Sequence, residues 1–167
     1  ESTGGTNDCY LTANNELLKR PEFQSLLEDV GTLPPYLVPQ RLAGSSFFWV
    51  GPRGTRTPLH HDTVMLFHTQ AVGAKRWRFI SPLDTPKVYN HHGVFSPVDL
   101  DAPDEDRFPR MRDVQVLDVV VNAGETLFLP LGWWHQVGAL SLSVSFSFTN
   151  LDLKNDYRFT DPNLRHW

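Results

Sequence analysis

Three residues of this chain have the types and the spacing of a metal site. His60 and Asp62 stand two apart, just before the apolar run Val64–Phe67, and side chains two apart on an extended chain share one face. A third ligand must come from elsewhere, and the best candidate is His135, at the end of Gly132-Trp133-Trp134-His135. Two histidines and one carboxylate on one face of non-haem Fe(II) leave open positions for oxygen and a co-substrate. The His-x-Asp pair alone is a weak signal, because such pairs arise by chance.

The segment before His135 strengthens its assignment. From Gly124 to His135 the chain resembles the second cupin motif, which runs glycine, five residues, proline, one residue, glycine, two residues and histidine. The chain would leave a strand at Pro130, turn at Gly132 and present His135 inward. The position of the motif's later asparagine holds Ala139 here. The alternative is that His135 and the tryptophans before it only close the end of a barrel.

A lysine in an alternating run suggests a site for an anion. Period-two alternation puts Lys75 on one face with Trp77 and Phe79, whereas Arg76 and Arg78 point the other way. An ammonium in an apolar interior is costly unless an anion meets it. The sequence offers no obvious internal carboxylate, so the distal carboxylate of a ligand such as 2-oxoglutarate would supply the charge. The alternative is a lysine that extends to the barrel rim.

The elements that must position these residues are mainly short strands. Two short helices are expected near the N-terminus, at Asn14–Leu18 and Phe23–Leu27, and a long loop at Ser81–Arg112. The pattern predicts an all-β fold, a double-stranded β-helix (jelly-roll or cupin barrel), with the short N-terminal helices packed outside. The predicted strands are Phe47–Val50, Thr63–Gln70, Arg76–Ile80, Val114–Val121, Thr126–Leu129 and Leu142–Phe148.

The bulk composition is that of one ordinary globular domain. We expect residues 1–167 to form a single domain, with an N-terminal helical segment (1–44), a barrel core (45–150) and a C-terminal tail (151–167). A net charge of −4 with scattered Lys and Arg predicts no nucleic-acid partner and no membrane partner. A single cysteine, Cys9, and no signal-peptide pattern at Glu1–Asp8 favour the cytoplasm. The oligomeric state is not predicted.

Three segments together resemble the JmjC (cupin-like) 2-oxoglutarate oxygenases, which include the asparaginyl hydroxylase that represses hypoxia-inducible factor. They are Thr57-Pro58-Leu59-His60-His61-Asp62, Gly73-Ala74-Lys75-Arg76-Trp77 and Gly132-Trp133-Trp134-His135, and Lys75 follows Asp62 by thirteen residues. The resemblance spans about Tyr10 to Phe148. It implies the same cupin barrel, with Fe(II), 2-oxoglutarate as co-substrate, and O2.

The resemblance also assigns individual residues. It implies that His60, Asp62 and His135 hold the catalytic iron, and that the other residues named below bind the co-substrate. Lys75 and Thr57 would bind its distal carboxylate, Tyr10 would add a hydroxyl, and Phe47 and Trp49 would line the pocket, although simple core packing remains the alternative for these two aromatics. The asparagine that relatives often carry on the last strand is Ser147 here, and a position that is often polar in relatives is Leu66.

The function implied is hydroxylation of a C–H bond in a protein or peptide side chain, with release of succinate and CO2. A small-molecule hydroxylase and an N-methyl-lysine demethylase use the same chemistry and stay open. From other classes, a metal cupin that does not use 2-oxoglutarate and a catalytically silent binding module also remain. No role is assigned to His68, His91 or His92.

Overall fold

The strands of this protein build two antiparallel sheets that face each other. The computed structural model describes residues 7–12, 16–31, 33–90 and 93–154, so His91 and His92 lie outside the described residues. One sheet has the order β1-β8-β3-β6 and the other β2-β7-β4-β5. Successive strands change sheet except from β4 to β5, as in a jelly roll, so the all-β prediction is confirmed. The eight strands are β1 (Ser46–Gly51), β2 (Arg56–His61), β3 (Leu66–Val72), β4 (Ala74–Ile80), β5 (Val116–Asn122), β6 (Thr126–Leu129), β7 (Trp134–Ala139) and β8 (Ser143–Phe148).

Helical structure is sparse in the described part of the chain. One short α-helix, α1 (Ser25–Glu28), overlaps the helix predicted at Phe23–Leu27. Of the helix predicted at Asn14–Leu18, the first two residues lie outside the described ranges, and a 3-10 turn begins at Leu17. No described helix is long and apolar enough to cross a membrane. The 3-10 turns are Leu17–Lys19, Pro21–Phe23, Pro39–Arg41, Pro82–Lys87 and Pro109–Asp113.

The strand prediction misplaced several boundaries, most of all the start of β3, and missed two strands. The run expected at Thr63–Gln70 begins only at Leu66, because residues 62–65 cross from the sheet of β2 to the sheet of β3. β2 contains Pro58, and a proline is a poor indicator of a strand. β7 lies between β2 and β4 and is buried on both faces. A strand covered on both sides has no reason to alternate polar and apolar residues.

The long loop between β4 and β5 is packed onto the outside of one sheet. Its apolar side chains Val88, Val98 and Phe108 are buried, and they pack with residues that point outward from β2, β4 and β7. The sheet contributes Leu59, Ile80 and Trp134. A separate cluster fills the space between the two sheets, formed by Leu66, Trp77, Phe79, Val121, Leu129 and Val137.

The same loop also pairs with the backbone of β2. The His61 N–H donates to the carbonyl of Val94 at 3.0 Å, and the Ser96 N–H donates to the carbonyl of Leu59 at 2.9 Å. Phe95, between these two bonds, forms an isolated bridge with His60. The loop therefore continues the sheet beyond β2 and places one aromatic side chain beside a predicted iron ligand.

Candidate metal centre and co-substrate cavity

The three predicted iron ligands come together at one end of the space between the sheets. His60 in β2 and His135 in β7 are direct partners across the antiparallel ladder, and their ring centroids are 4.2 Å apart. Asp62 lies one residue beyond β2, at the start of the segment that crosses between the sheets. One potential ligand atom from each of the three residues lies within 4.8 Å of the other two. Because Asp62 has left the strand, its position depends on this crossing and not on strand alternation.

The distances within the triad leave a gap. The His60 Nε2 atom lies 3.8 Å from a carboxylate oxygen of Asp62, and the His135 Nε2 atom lies 3.7 Å from the other oxygen. These separations are too long for hydrogen bonds. The three groups therefore point at a common space without bonding one another.

Backbone carbonyls orient both imidazole rings. The Nδ1 atom of His60 lies 2.8 Å from the carbonyl oxygen of Pro58, and the Nδ1 atom of His135 lies 3.0 Å from that of Trp133. A carbonyl only accepts hydrogen bonds, so each Nδ1 carries the proton and each Nε2 presents its lone pair toward Asp62. This is the arrangement by which metal-binding histidines are usually held.

Burial disfavours the charged forms of the side chains in this cluster unless a cation is bound. Desolvation raises the pKa of the Asp62 carboxyl, although the charge of His60 opposes the rise. Desolvation also lowers the pKa of His135 well below its ordinary value. A cation would compensate the partly buried carboxylate, and two neutral imidazoles with one carboxylate form a donor set suited to divalent iron. These residues therefore fit the metal that the sequence predicts.

A cavity of about 600 Å³ extends from the triad into the interior. Lys75 of β4 lines it and is only 3% exposed, so its ammonium does not reach the rim. Its Nζ atom donates to the Ser145 hydroxyl at 2.9 Å and lies 5.4 Å from the centre of the Trp49 ring. Burial lowers the pKa of Lys75 from 10.5 to about 8. No carboxylate among the described residues lies within ion-pair distance of this ammonium, so the cavity has room and charge for an anion.

The remaining predicted co-substrate residues surround the same cavity. The Tyr10 and Thr57 hydroxyls lie 3.1 Å apart, and burial raises the pKa of Tyr10. The Trp49 indole N–H donates to the Ser147 hydroxyl at 3.0 Å. Phe47 also lines the cavity. The structure thus brings the predicted residues together, and their roles toward a co-substrate stay predictions.

Sequence reasoning missed several residues of this cavity. Phe95 stacks on His60 with ring centroids 5.8 Å apart, and a loop residue of this kind leaves no periodic signal. Trp77, expected on the same face as Lys75, does line the cavity. Ser145 lies behind the cavity wall, where it accepts the hydrogen bond from Lys75, and its inward alternation with Ser147 was an available signal. His68 has the inward alternation of β3, lies 2% exposed, and lines the cavity.

Comparison with known proteins identifies the family of this chain. A sequence model of the family described as "Cupin-like domain" matches residues 1–151. Lysine-specific demethylase 8 of Xenopus tropicalis is 39% identical over 104 residues, which cover 60% of this chain and 24% of that protein. JmjC domain-containing protein D of Dictyostelium discoideum is 39% identical over 102 residues, 58% of this chain and 23% of that protein. HSPB1-associated protein 1 of Homo sapiens is 33% identical over 151 residues, 81% of this chain and 30% of that protein.

The matched region is a minor part of each relative. The chain spans about a quarter to a third of the length of the curated relatives it matches. The family match covers most of this chain, including both sheets and every residue of the triad. The two four-stranded antiparallel sheets are the architecture expected of such a domain. The chain therefore belongs to the cupin-like (JmjC) domain family.

Proposed function

We propose that this chain is an Fe(II)- and 2-oxoglutarate-dependent oxygenase that hydroxylates a C–H bond in a protein or peptide side chain. The observation that carries the proposal is the buried ammonium of Lys75, which has no carboxylate partner among the described residues and shares a cavity with the triad. A metal cupin without a dicarboxylate co-substrate gains nothing from that costly charge. Membership of the JmjC family supports the same reading.

The triad would hold the metal. His60 and His135 would each bind through Nε2, because their Nδ1 atoms are engaged by backbone carbonyls, and Asp62 would bind through its carboxylate. Iron(II), when bound with 2-oxoglutarate, would supply oxidation of a C–H bond by O2, coupled to conversion of 2-oxoglutarate into succinate and CO2. Because the protein ligands occupy one side only, the remaining positions stay accessible to small molecules.

Residues deeper in the cavity would hold the co-substrate and exclude water. The Lys75 ammonium would pair with the distal carboxylate of 2-oxoglutarate, and the Thr57 and Tyr10 hydroxyls would donate hydrogen bonds to it. Phe47 and Trp49 make the walls apolar, which strengthens that ion pair and limits access of water. The protein would thus contribute orientation and a dry site.

The mouth of the cavity favours an uncharged target group. Phe95 is 50% exposed beside His60, and Asp62 is the only carboxylate among the described residues that line the cavity. A methylated lysine would carry its positive charge to a site with no acidic side chain other than a metal ligand. The lack of an acidic partner for such a charge favours hydroxylation at carbon over demethylation. N-methyl-lysine demethylation remains the second candidate, because relatives from Xenopus tropicalis and Arabidopsis thaliana are named lysine-specific demethylases.

Metal and co-substrate binding test the core of the proposal. Anaerobic protein is titrated with Fe(II) and then with 2-oxoglutarate, and binding is followed by calorimetry and by the visible absorption of the complex. His135→Ala should abolish iron binding, whereas Lys75→Ala should retain iron and weaken 2-oxoglutarate. Asp106→Asn, a change at a fully exposed carboxyl, serves as the control and should alter neither. If the parent protein binds iron but no 2-oxoglutarate, it is a metal cupin of another kind.

Product analysis separates the two reactions. Peptide arrays with and without N-methyl-lysine are incubated with the iron-loaded protein, 2-oxoglutarate and O2. A peptide that gains one oxygen atom without formaldehyde release supports hydroxylation at a carbon that stays in the product. Formaldehyde release with loss of a methyl group would contradict it and establish demethylation. If succinate forms only with small molecules, the substrate is a small molecule and not a peptide.

A further inference from the structure

The segment of the long loop that pairs with β2 leaves one edge of the extended sheet open. Phe95 faces His60 in an isolated antiparallel bridge. The two hydrogen bonds that flank this bridge join Val94 and Ser96 of the loop to the backbone of β2. Phe95 and His60 therefore form a non-hydrogen-bonded pair, in which the N–H and C=O of Phe95 point away from β2. We call these two groups of Phe95 the open edge.

The open edge has no partner in the described part of the chain. Neither the N–H nor the C=O of Phe95 forms a hydrogen bond with a described residue, and Phe95 is 50% exposed. Exposure alternates along the segment, since Phe95 and Pro97 are exposed whereas Ser96 and Val98 are buried. Pro97 lacks an N–H, and a proline is tolerated in a strand where that group would face solvent. The segment thus has the character of a short edge strand.

Contacts a few residues further along the loop hold the open edge in place. The Leu100 N–H donates to the Gln136 amide oxygen at 2.9 Å, and the Gln136 amide N–H donates to Asp99 at 2.9 Å. Arg56 forms an ion pair with Asp99 at 2.6 Å, and the Arg78 guanidinium donates to the Leu100 carbonyl. These contacts join the loop to β2, β4 and β7. An incoming strand would therefore meet an edge that is already ordered, which lowers the entropic cost of binding.

The open edge lies beside a predicted iron ligand. The Phe95 ring stacks on His60 with centroids 5.8 Å apart, and it lines the cavity that contains the triad. Residues directly opposite each other on neighbouring strands direct their side chains to the same face of the sheet. A residue that pairs with Phe95 would therefore direct its side chain toward the mouth of the cavity.

We propose that the substrate binds as an extended peptide that adds a strand to the open edge. Its backbone exchanges hydrogen bonds with the N–H and C=O of Phe95, and its target side chain enters the mouth of the cavity. An extended peptide presents one donor and one acceptor to a neighbouring strand, which is how the exposed edges of sheets bind peptides. This inference rests on the proposed function, because it concerns a peptide substrate of the same site.

Hydrogen exchange at single amides tests the inference on the unmodified protein. The protein is loaded with Zn(II) and N-oxalylglycine, a non-reactive analogue of 2-oxoglutarate, and the probe is the array peptide whose mass changes most. Without peptide, the Phe95 amide should exchange as an exposed amide does. Saturation with the peptide should slow that exchange by about tenfold or more. The Ser96 amide, which is bonded to β2, is the internal control and should stay protected throughout.

Two variants of Phe95 isolate the contribution of its N–H group. Phe95→Ala removes the ring and keeps the N–H, whereas Phe95→Pro removes both and still allows the hydrogen bonds of Val94 and Ser96 to β2. The net value of one backbone hydrogen bond predicts that Phe95→Pro binds the peptide about 3- to 10-fold more weakly than Phe95→Ala. Both variants should retain binding of Zn(II) and N-oxalylglycine, which verifies that the site is intact.

The outcomes separate this inference from the proposed function. If a peptide is modified but leaves the exchange rate of the Phe95 amide unchanged at saturation, the open edge is not its binding site, and the oxygenase proposal stands. Equal affinity of Phe95→Pro and Phe95→Ala for the peptide leads to the same conclusion. If no peptide is modified and only small molecules yield succinate, both the peptide substrate and its binding at the open edge are wrong.

Discussion

Replacing Lys75 by methionine should stabilise the ligand-free protein while it weakens affinity for 2-oxoglutarate. The ammonium is 3% exposed and lacks a carboxylate partner among the described residues, so burial lowers its pKa from 10.5 to about 8. The difference between these pKa values corresponds to about 3 kcal/mol of unfavourable free energy at neutral pH. Methionine has a similar length and no charge. It forfeits the hydrogen bond to Ser145, worth about 1 kcal/mol, so the expected net gain is about 2 kcal/mol.

The pH dependence gives the sign of this effect. The pKa of Lys75 is lower in the folded chain than in the unfolded chain, so the unfolded chain binds the proton more tightly. The penalty is therefore complete below pH 8 and is relieved as the pH rises from about 8 to 10.5. Stability of the parent should increase through that window relative to Lys75→Met. The difference in stability between the parent and Lys75→Met should therefore shrink as the pH approaches 10.5.

Urea unfolding at several pH values, without ligand, measures both effects. For a chain of this length, a gain of 2 kcal/mol raises the melting temperature by about 4–8 °C. Lys19→Met is the control, because Lys19 is exposed and forms only a surface ion pair with Glu16; it should change stability by under about 1 kcal/mol. If Lys75→Met is destabilised, or if its advantage is the same at pH 7 and pH 10, the ammonium does not carry a desolvation penalty and the reasoning fails.

Four further changes test other parts of the structure by urea unfolding. Gly73→Ala should cost about 3 kcal/mol or more, because φ is +74° and the added Cβ would lie 2.0 Å from the Leu142 carbonyl oxygen. Gly124→Ala, with φ +88° but open space around it, should cost only about 1 kcal/mol. Trp134→Phe should lower the free energy of unfolding by about 2 kcal/mol, because it leaves a cavity and removes the hydrogen bond to Thr85. Unchanged stability would contradict close packing between the long loop and the sheet. Below pH 6.5 the parent should lose stability relative to His68→Phe, by up to about 5 kcal/mol at pH 3, because the folded chain resists protonation of His68; parallel curves would contradict its burial.

Alternation along single strands allowed part of the fold and site to be predicted. Lys75 and Trp77 share one face of β4, and both line the cavity. Ser147 faces inward on β8 for the same reason. These predictions succeed because the period of a strand is a local property of the chain. β7 was missed, since it is buried on both faces and the pattern that reveals a strand is then absent.

The choice of metal ligands came from residue types and spacing, but their convergence came from tertiary structure. His60 meets His135 through the pairing of β2 with β7, two strands more than seventy positions apart in the sequence. Asp62 joins them because the chain crosses between sheets just after β2. Both contacts are non-local, and the sequence contains no local signal for them.

The sequence by itself determined which side chains could do chemistry, whereas the three-dimensional structure decided what each one meets. The strand period identified an inward lysine, and only the folded structure showed that no carboxylate among the described residues lies within ion-pair distance of it. His68 had the same inward alternation, and only the folded structure showed that its ring meets the Ser147 hydroxyl and the Trp77 ring. The physical reason is that periodicity depends on neighbours along the chain. Burial, charge and hydrogen-bond partners depend on neighbours in space.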